Sequence, residues 1–444
     1  MSKHTRSMLC AIVLSGALAG CGGGETVAVY DPGLLPSGMP IAENVSFIDI
    51  TLPLTPAVPT APHASKLSQC VWASPRSAPC TFDLLPTLYQ EAGGTPTVDQ
   101  VMGRVAVSHA WHAQRFRELL QQMPTDMLRL FRPITAIIIS NDVRPSFYWA
   151  YTGAIHLDPA TLWFTPTERA TLDTTPDFRS GFGDDLLFTM PWRYTKDDAY
   201  AYRSNPAVGD SRTLSEVTYA LARLLFHELA HANDYTQPSI LPTLDQYDSI
   251  YDAFLNAPQV RVGDQLDAYW WLTSAQMYGL AGVRFFGDPA TVTEQGYTPN
   301  DVAGFFTVDA ASDHYNYSNN AEDTAMLFEE LMAYYHFGME RDVAVTNLPT
   351  VMNPTAADYF VAWGQRGRIR DPGVVDRALF VTSRLLPESW ATLQSWSLTL
   401  PGPQPMIVGG SWIDNLDLDT PIVKGSAKHR AAIAEPVAVA PDLD

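Results

Sequence analysis

The sequence predicts an α+β fold, mainly helical, with a small sheet beside one long helix. Apolar residues recur at helical spacing through residues 97–122, and residues 134–139 form a compact β-branched run typical of a buried strand. A second strand-like segment, Ala154–Leu157, precedes a long stretch, 214–233, whose apolar residues share one helix face. A helix followed by strands and then by further helices is the pattern of an α+β domain.

Length and composition predict a folded, globular chain with one large domain or two. The chain has 444 residues, 46% of them hydrophobic, which is enough to bury a large core. Further helices are expected at 264–280, 322–337 and 374–386, and three prolines at 401, 403 and 405 mark the end of dense structure. We therefore place the folded domain at 65–401. Residues 402–444 are expected to be a partly disordered extension, and 425–444 are expected not to fold because they lack periodicity.

The charge balance excludes some partners. The formal net charge is -20, whereas binding to nucleic acid needs clustered Lys and Arg. The same charge disfavours adsorption on anionic lipid headgroups, so attachment to a membrane should be covalent or hydrophobic. The sequence contains neither a Gly-rich phosphate loop nor a G-x-S-x-G elbow, which argues against nucleotide-dependent and serine hydrolase activities.

The N-terminus predicts export and a lipid anchor. Lys3 and Arg6 precede an apolar run, 8–14, that is too short to span a bilayer. The following Leu18-Ala19-Gly20-Cys21 resembles the bacterial lipobox, which implies a signal peptide at 1–20 and acylation of Cys21; the alternative is a plain signal peptide with an incidental cysteine. Because Gly22 stands where an aspartate would favour retention in the inner membrane, the resemblance implies anchoring at the outer membrane of a bacterial cell envelope. Residues 21–64 are proline-rich and are expected to form a tether, with one strand at 45–52.

Cysteine usage agrees with export. Of the four cysteines, Cys10 lies in the predicted signal peptide and Cys21 is the predicted acylation site, which leaves Cys70 and Cys80. Two cysteines in an oxidising compartment are best interpreted as one disulfide closing a short loop. Free or metal-bound thiols are the weaker alternative.

The predicted chemistry is concentrated in His227-Glu228-Leu229-Ala230-His231. Two histidines four residues apart lie on one helix face, so both imidazoles can bind one metal ion, and Zn²⁺ fits this donor set best. Glu228 is turned about 100° around the helix and is suited to act as general base toward water. Asp234 lies on the ligand face and is predicted to orient an imidazole, the alternative being a solvated or capping acid. The bland alternative for the whole motif is a surface helix without a metal.

Two windows resemble the gluzincin zinc metallopeptidases, especially the group similar to anthrax lethal factor. They are the helix segment 227–234 and a later segment with Tyr315 and Asn319-Asn320-Ala321-Glu322. The resemblance implies that Glu322 is the third zinc ligand and that Tyr315 stabilises the oxyanion. A rival segment, 328–333, looks like the glutamate-bearing helix of the thermolysin and aminopeptidase branches and makes Glu329 or Glu330 the alternative ligand. His314 and Asp313 are weaker alternatives.

The expected function is therefore zinc-dependent hydrolysis of peptide bonds at the cell envelope. The partners would be a peptide or protein substrate and the membrane, and Ala154–Leu157 could be the edge strand that holds an extended substrate, unless it is an ordinary internal strand. Two alternatives remain open on the sequence: a non-catalytic zinc-containing lipoprotein that binds an envelope partner, and a zinc amidase acting on a non-peptide amide.

Overall fold

The computed structural model describes residues 52–71, 79–175, 178–203, 206–419, 422 and 424–438. The predicted signal peptide, Cys21 and all but the last residue of the predicted strand 45–52 lie outside the described residues. Helices and strands are mixed, with two small sheets, which agrees with the predicted α+β class. Among the described helices, none combines the length and the apolar character that crossing a bilayer requires.

The α-helices, in chain order, are α1 Leu67–Cys70, α2 Leu88–Ala92, α3 Val98–Met102, α4 Ala110–Leu120, α5 Thr125–Leu130, α6 Pro166–Arg169, α7 Leu214–Tyr235, α8 Ile250–Leu255, α9 Val262–Trp270, α10 Ala275–Ala281, α11 Val292–Gln295, α12 Pro299–Thr307, α13 Asn320–Phe337, α14 Pro372–Leu385, α15 Pro387–Ser397 and α16 Ala427–Ala434. Short 3-10 helices lie at Ala64–Lys66, Pro159–Thr161, Leu241–Thr243, His314–Tyr317 and Arg368–Arg370, and a π-helical turn, Gly282–Phe286, follows α10. The strands are β1 Thr55–Pro56, β2 Val105–Val107, β3 Ala136–Ile139, β4 Phe147–Trp149, β5 Ala154–Leu157, β6 Phe188–Thr189, β7 Trp192–Lys196, β8 Ala199–Tyr200, β9 Glu340–Asn347, β10 Val361–Arg366 and β11 Gln404–Pro405.

The first sheet has the strand order β1-β2-β3-β5-β4. Strands β2, β3 and β5 are parallel, and β4 returns antiparallel beside β5 through a turn that ends at Gly153. Gly153 has a φ of +72°, and a Cβ at this position would lie 3.0 Å from Thr135 Cγ2, so the turn requires glycine. The strand Ala154–Leu157 is therefore internal. The expectation that it forms an edge strand for a substrate is wrong, because the aromatic strand β4 pairs with its outer edge.

The prediction of helix through 97–122 is also wrong in its middle. The segment contains α3, then β2, then α4. Val105–Val107 pairs in parallel register with residues 137–139 and is buried at every position. A strand that is buried on both faces is apolar throughout, so its residues also satisfy a helical spacing.

The second sheet has the order β11-β10-β9-β7-β8, with β6 also paired to β9, and all its pairings are antiparallel. It was not predicted from the sequence. The chain after Pro401 continues this sheet through β11, and Trp412 is buried beside it. Helix α16 follows, and the Trp192 amide donates to the Ala438 carbonyl at 3.0 Å. The expectation that 425–444 does not fold is thus wrong for its described part, because this segment covers apolar surface of the second sheet.

Other boundaries agree or differ locally. The helices predicted at 214–233, 322–337 and 374–386 are confirmed as α7, α13 and α14. The helix predicted at 264–280 is two helices, α9 and α10, because Asp309 accepts from the amides of Thr273 and Ser274 between them. Residues 55–64, which we placed in the tether, belong to the folded body: β1 pairs with β2 and Ala64 is buried.

Helices α7 and α13 pack against each other and carry the candidate site. A capping box starts α7, since the Glu216 amide donates to Thr213 Oγ1 and the Thr213 amide donates to the Glu216 carboxylate. The apolar residues of both helices join one core with the first sheet, including Leu221, Leu225 and Phe328. Burying these side chains stabilises the fold by about 1.5–3 kcal/mol each, and it fixes the two helices against each other.

Candidate metal centre

The two histidines of the central motif converge on one point. His227 and His231 are one turn apart on α7, both are buried, and their Nε2 atoms are 3.2 Å apart. The i, i+4 spacing on a helix puts both rings on the same face without bending the backbone. This part of the site follows from local sequence alone.

The third donor comes from the start of α13. Glu322 Oε2 lies 3.0 Å from His227 Nε2 and 3.4 Å from His231 Nε2. Asn319 caps this helix by accepting from the amides of Ala321 and Glu322, which fixes the first turn that carries the carboxylate. His227, His231 and Glu322 are the one group of three potential ligands in the described part of the chain whose donor atoms all lie within 4.8 Å of one another.

This donor set fits a zinc ion. Ligand atoms about 2.1 Å from a tetrahedral zinc ion lie about 3.4 Å from one another. The three separations here are 3.0, 3.2 and 3.4 Å, so small outward shifts would accommodate the ion. Two imidazoles and one carboxylate leave the fourth position open, as in catalytic rather than structural zinc sites.

The charges around His227 suit a cation. Burial lowers the pKa of His227, but hydrogen bonds with Glu322 and Glu329 outweigh it and raise this pKa to about 10. Burial likewise opposes ionisation of Glu322, yet the two histidines hold the pKa of its carboxyl well below the usual range. The carboxylates around His227 therefore stabilise a positive charge at this position. A divalent metal ion would supply that charge in place of a proton on the histidine.

Glu228 lies beside the ligands but does not bind them. Its side chain is 1% exposed, and within the described residues neither carboxylate oxygen has a hydrogen bond. Burial raises the pKa of Glu228, and the charges of His227 and His231 and the nearby amide of Tyr148 offset part of the rise. A buried carboxylate beside the two histidines, with its pKa raised by burial, is suited to accept a proton from water or substrate.

Tyr315 reaches the site from the 3-10 helix His314–Tyr317. Its ring stacks against the His227 imidazole, with centroids 6.4 Å apart and the two planes inclined at 20°. Burial and the charge of Glu322 raise the pKa of Tyr315 well above its ordinary value, so the hydroxyl remains a hydrogen-bond donor.

Glu329, the alternative third ligand, occupies a different position. Its Oε2 lies 3.0 Å from His227 Nδ1, the ring nitrogen opposite the one that faces Glu322, and the Tyr194 hydroxyl donates to its Oε1 at 2.7 Å. A carboxylate on the far nitrogen of a ligating histidine fixes the tautomer and the ring orientation. Glu330 points elsewhere, with Oε1 3.6 Å from Arg341 Nε.

Asp234, which we predicted to orient an imidazole, has other partners. Its Oδ1 accepts from the Gly263 amide at 2.9 Å, and its Oδ2 lies 4.0 Å from Arg261 Nη1. In the described part of the chain no hydrogen bond joins Asp234 to a histidine, and His231 Nδ1 has no hydrogen-bond partner. The contact with an imidazole that we predicted for Asp234 is therefore not observed, whereas Glu329 makes such a contact with His227 Nδ1.

The remaining predicted residues have separate roles. Cys70 and Cys80 form the predicted disulfide, with Cα atoms 5.4 Å apart. Asp313 caps the 3-10 helix that bears Tyr315, and His314 packs against Phe285, so neither joins the donor group.

Sequence reasoning missed three side chains behind the site: Tyr194, Arg223 and Arg341. Tyr194 lies in β7, Arg341 in β9 and Arg223 one turn before the motif in α7. An arginine at the start of an apolar strand signals a buried ion pair, but the sequence does not reveal its partner.

Comparison of the chain with protein-family models, with curated proteins and with solved structures finds no match.

Proposed function

We propose that the protein is a zinc-dependent hydrolase of peptide bonds. The observation that carries the proposal is the convergence of His227, His231 and Glu322 beside the buried carboxylate of Glu228. Three protein donors with a neighbouring base are the arrangement that zinc peptidases use to activate water.

Each residue has a distinct task in this proposal. A zinc ion held by the three ligands would supply a Lewis acid toward water and the substrate carbonyl. Glu228 accepts the proton of the attacking water and passes it to the leaving amine. Tyr315, kept protonated by its raised pKa, donates its hydroxyl to the carbonyl oxygen as negative charge develops there.

The proposed setting is the bacterial cell envelope. The lipobox-like sequence at 18–21 supports a lipid anchor at Cys21, and Gly22 after it supports attachment to the outer membrane. The Cys70–Cys80 disulfide agrees with an oxidising compartment. The proposed partners are a peptide or protein substrate and the membrane, without nucleic acid or nucleotide.

The test combines metal content with cleavage. Purified protein lacking the predicted signal peptide is measured by elemental mass spectrometry as wild type, His227→Ala and Glu228→Gln, and each form is incubated with a peptide library. We expect one zinc ion per wild-type chain, loss of zinc in His227→Ala, and retention of zinc in Glu228→Gln with hydrolysis reduced by about 10²–10⁴-fold.

Each failure has its own meaning. Cleavage by Glu228→Gln at the wild-type rate would refute the role of Glu228. A wild type that binds zinc but cleaves no peptide would favour the non-catalytic zinc lipoprotein or the amidase of a non-peptide bond. A wild type without zinc would remove the metal centre from the proposal.

A further inference from the structure

One buried arginine lies between the two parts of the candidate site. Arg341, on β9, is 3% exposed, and its guanidinium stacks over the Trp192 ring at 4.2 Å. Arg341 is connected to Tyr315 through one carboxylate and to His227 through another. A planar guanidinium with several donors can hold two carboxylates at once, which a lysine cannot do with the same geometry.

The first direction leads to Tyr315 through Asp313. Arg341 Nη2 and Nε donate to Asp313 Oδ2 at 2.7 and 3.1 Å. The other oxygen, Asp313 Oδ1, accepts from the Tyr315 amide at 3.1 Å and caps the 3-10 helix. Arg341 therefore fixes the cap on which the position of the Tyr315 backbone depends.

The second direction leads to His227 through Glu329. Arg341 Nη1 lies 3.6 Å from Glu329 Oε1, and Glu329 Oε2 contacts His227 Nδ1 at 3.0 Å. Arg223 Nη1, 3.7 Å from the same Oε1, and the Tyr194 hydroxyl also hold this carboxylate. Because Glu329 is buried, it requires such compensation to stay ionised beside the histidine.

We propose that Arg341 is a positioning residue that couples the orientation of Tyr315 to that of His227. The inference rests on the proposed function, because its effect on metal binding requires the zinc site and its catalytic consequence requires hydrolysis as well. Arg341 touches neither metal ligand nor substrate, and it acts through Asp313 and Glu329. The second sheet, through β9, would thus hold the oxyanion donor and the metal ligand in one geometry.

The first test compares two buried arginines of the second sheet. Arg193 on β7 is equally enclosed, but it pairs with Asp342 at 2.7 Å and lies over Trp412, away from the site. Arg341→Lys and the matched control Arg193→Lys are titrated with Zn²⁺ against a competing chelator, and the visible spectrum of the Co²⁺ form is recorded. We expect Arg341→Lys to weaken metal binding by about 10–100-fold and to alter the Co²⁺ spectrum, and Arg193→Lys to do neither.

The second test isolates the coupling and does not require Arg341→Lys to fold. Asp313→Asn and Glu329→Gln are combined in a double-mutant cycle, read as kcat and KM on a cleaved peptide and as Zn²⁺ affinity. We expect both variants to lower kcat more than they raise KM, with combined losses that deviate from additivity by about fivefold or more. Strict additivity would overturn the coupling.

The outcomes separate this inference from the proposed function. If the wild type binds no metal, the proposed function fails. If the wild type binds zinc and Arg341→Lys has wild-type affinity and an unchanged Co²⁺ spectrum, the positioning role of Arg341 fails while the metal centre stands.

Discussion

The two sheets bury side chains of opposite character. At the centre of the first sheet, β3 buries Ile137, Ile138 and Ile139 without exposure. The second sheet buries charged groups instead: Arg193, Arg341, Asp342 and Arg366 are each at most 5% exposed. The first sheet supports α7 through apolar packing, whereas the second supports the back of the candidate site through paired charges.

This difference shows how each sheet responds to change. Apolar packing tolerates the loss of a methyl group at modest cost, because the transfer free energy and a small cavity are all that is lost. A buried ion pair loses more, because removing one partner leaves the other charge uncompensated in a low-dielectric interior. The same dependence makes the second sheet suited to fixing the geometry of the candidate site and makes it intolerant of substitution.

The largest effect is expected at Asp342. Its carboxylate accepts from Arg193 Nε at 2.7 Å and from Arg366 Nε at 2.7 Å and Nη2 at 3.0 Å. Asp342→Asn keeps the shape but leaves two buried guanidinium groups short of negative charge, so we expect the free energy of unfolding to fall by about 3–5 kcal/mol. Urea titration of the wild type and the variant, with linear extrapolation to zero urea, measures this free energy of unfolding.

The matched substitution in the first sheet is Ile138→Val. It removes one methyl group from a fully buried side chain and should cost about 1 kcal/mol. If Asp342→Asn cost no more than Ile138→Val, the distinction between the two sheets would not hold.

The two sheets also differ in how far the sequence predicts them. Strands β3 and β5 were predicted because β-branched and apolar runs indicate buried strands directly. Strand β9 begins with Glu340, Arg341 and Asp342, and such charges do not indicate a buried strand unless their partners are known. Those partners lie up to 149 residues away in sequence, as Arg193 does from Asp342, so only the folded structure shows them.

The candidate site divides in the same way. The i, i+4 spacing predicts that His227 and His231 converge, and the resemblance indicated Glu322 and Tyr315. The mutual arrangement of α7 and α13, which brings Glu322 to the histidines and Glu329 to the far side of His227, depends on tertiary packing. Asp234 was favoured because it shares the ligand face of α7, but the Gly263 amide competes for its carboxylate.

An intermediate effect on stability is expected from loss of the Cys70–Cys80 disulfide. The disulfide packs against the first sheet and not the second, so its loss tests whether the two sheets respond separately. Cys70 packs with Ala106 and Ile138. Closing a loop of about ten residues stabilises the folded state by about 2–3 kcal/mol in the chain-entropy model. Replacing both cysteines by alanine should lower the free energy of unfolding by that amount.

Hydrogen exchange measures where the loss of the disulfide acts. Amides of β2 and β3 should lose more protection than those of β9, because the constraint bears on the first sheet. Dithiothreitol should reproduce the effect in the wild type and leave the double alanine variant unchanged. Equal losses of protection in both sheets would mean that they do not respond as separate regions.

The smallest effect is expected at the ion pair of Asp126 on α5 with His336 on α13, which lies outside both sheets. Burial raises the pKa of Asp126, but hydrogen bonds with His336, Ser389 and Arg129 outweigh it and lower this pKa to about 2 from an ordinary 3.8. A depressed folded-state pKa contributes stability above the ordinary value, and this contribution is lost as the pH falls from about 4 to 2. Asp126→Asn should therefore reduce the difference in unfolding free energy between pH 6 and pH 2.5 by about 1 kcal/mol, after allowance for solvent screening. Urea titrations at both pH values, in the presence of a chelator that removes metal, measure this difference.

Asp99→Asn is the control, because Asp99 pairs with Arg117 at the surface with its side chain 84% exposed, where an ion pair contributes little. An Asp126→Asn variant that kept the full wild-type difference would show that this cluster, unlike the paired charges of the second sheet, does not contribute to the stability of the fold.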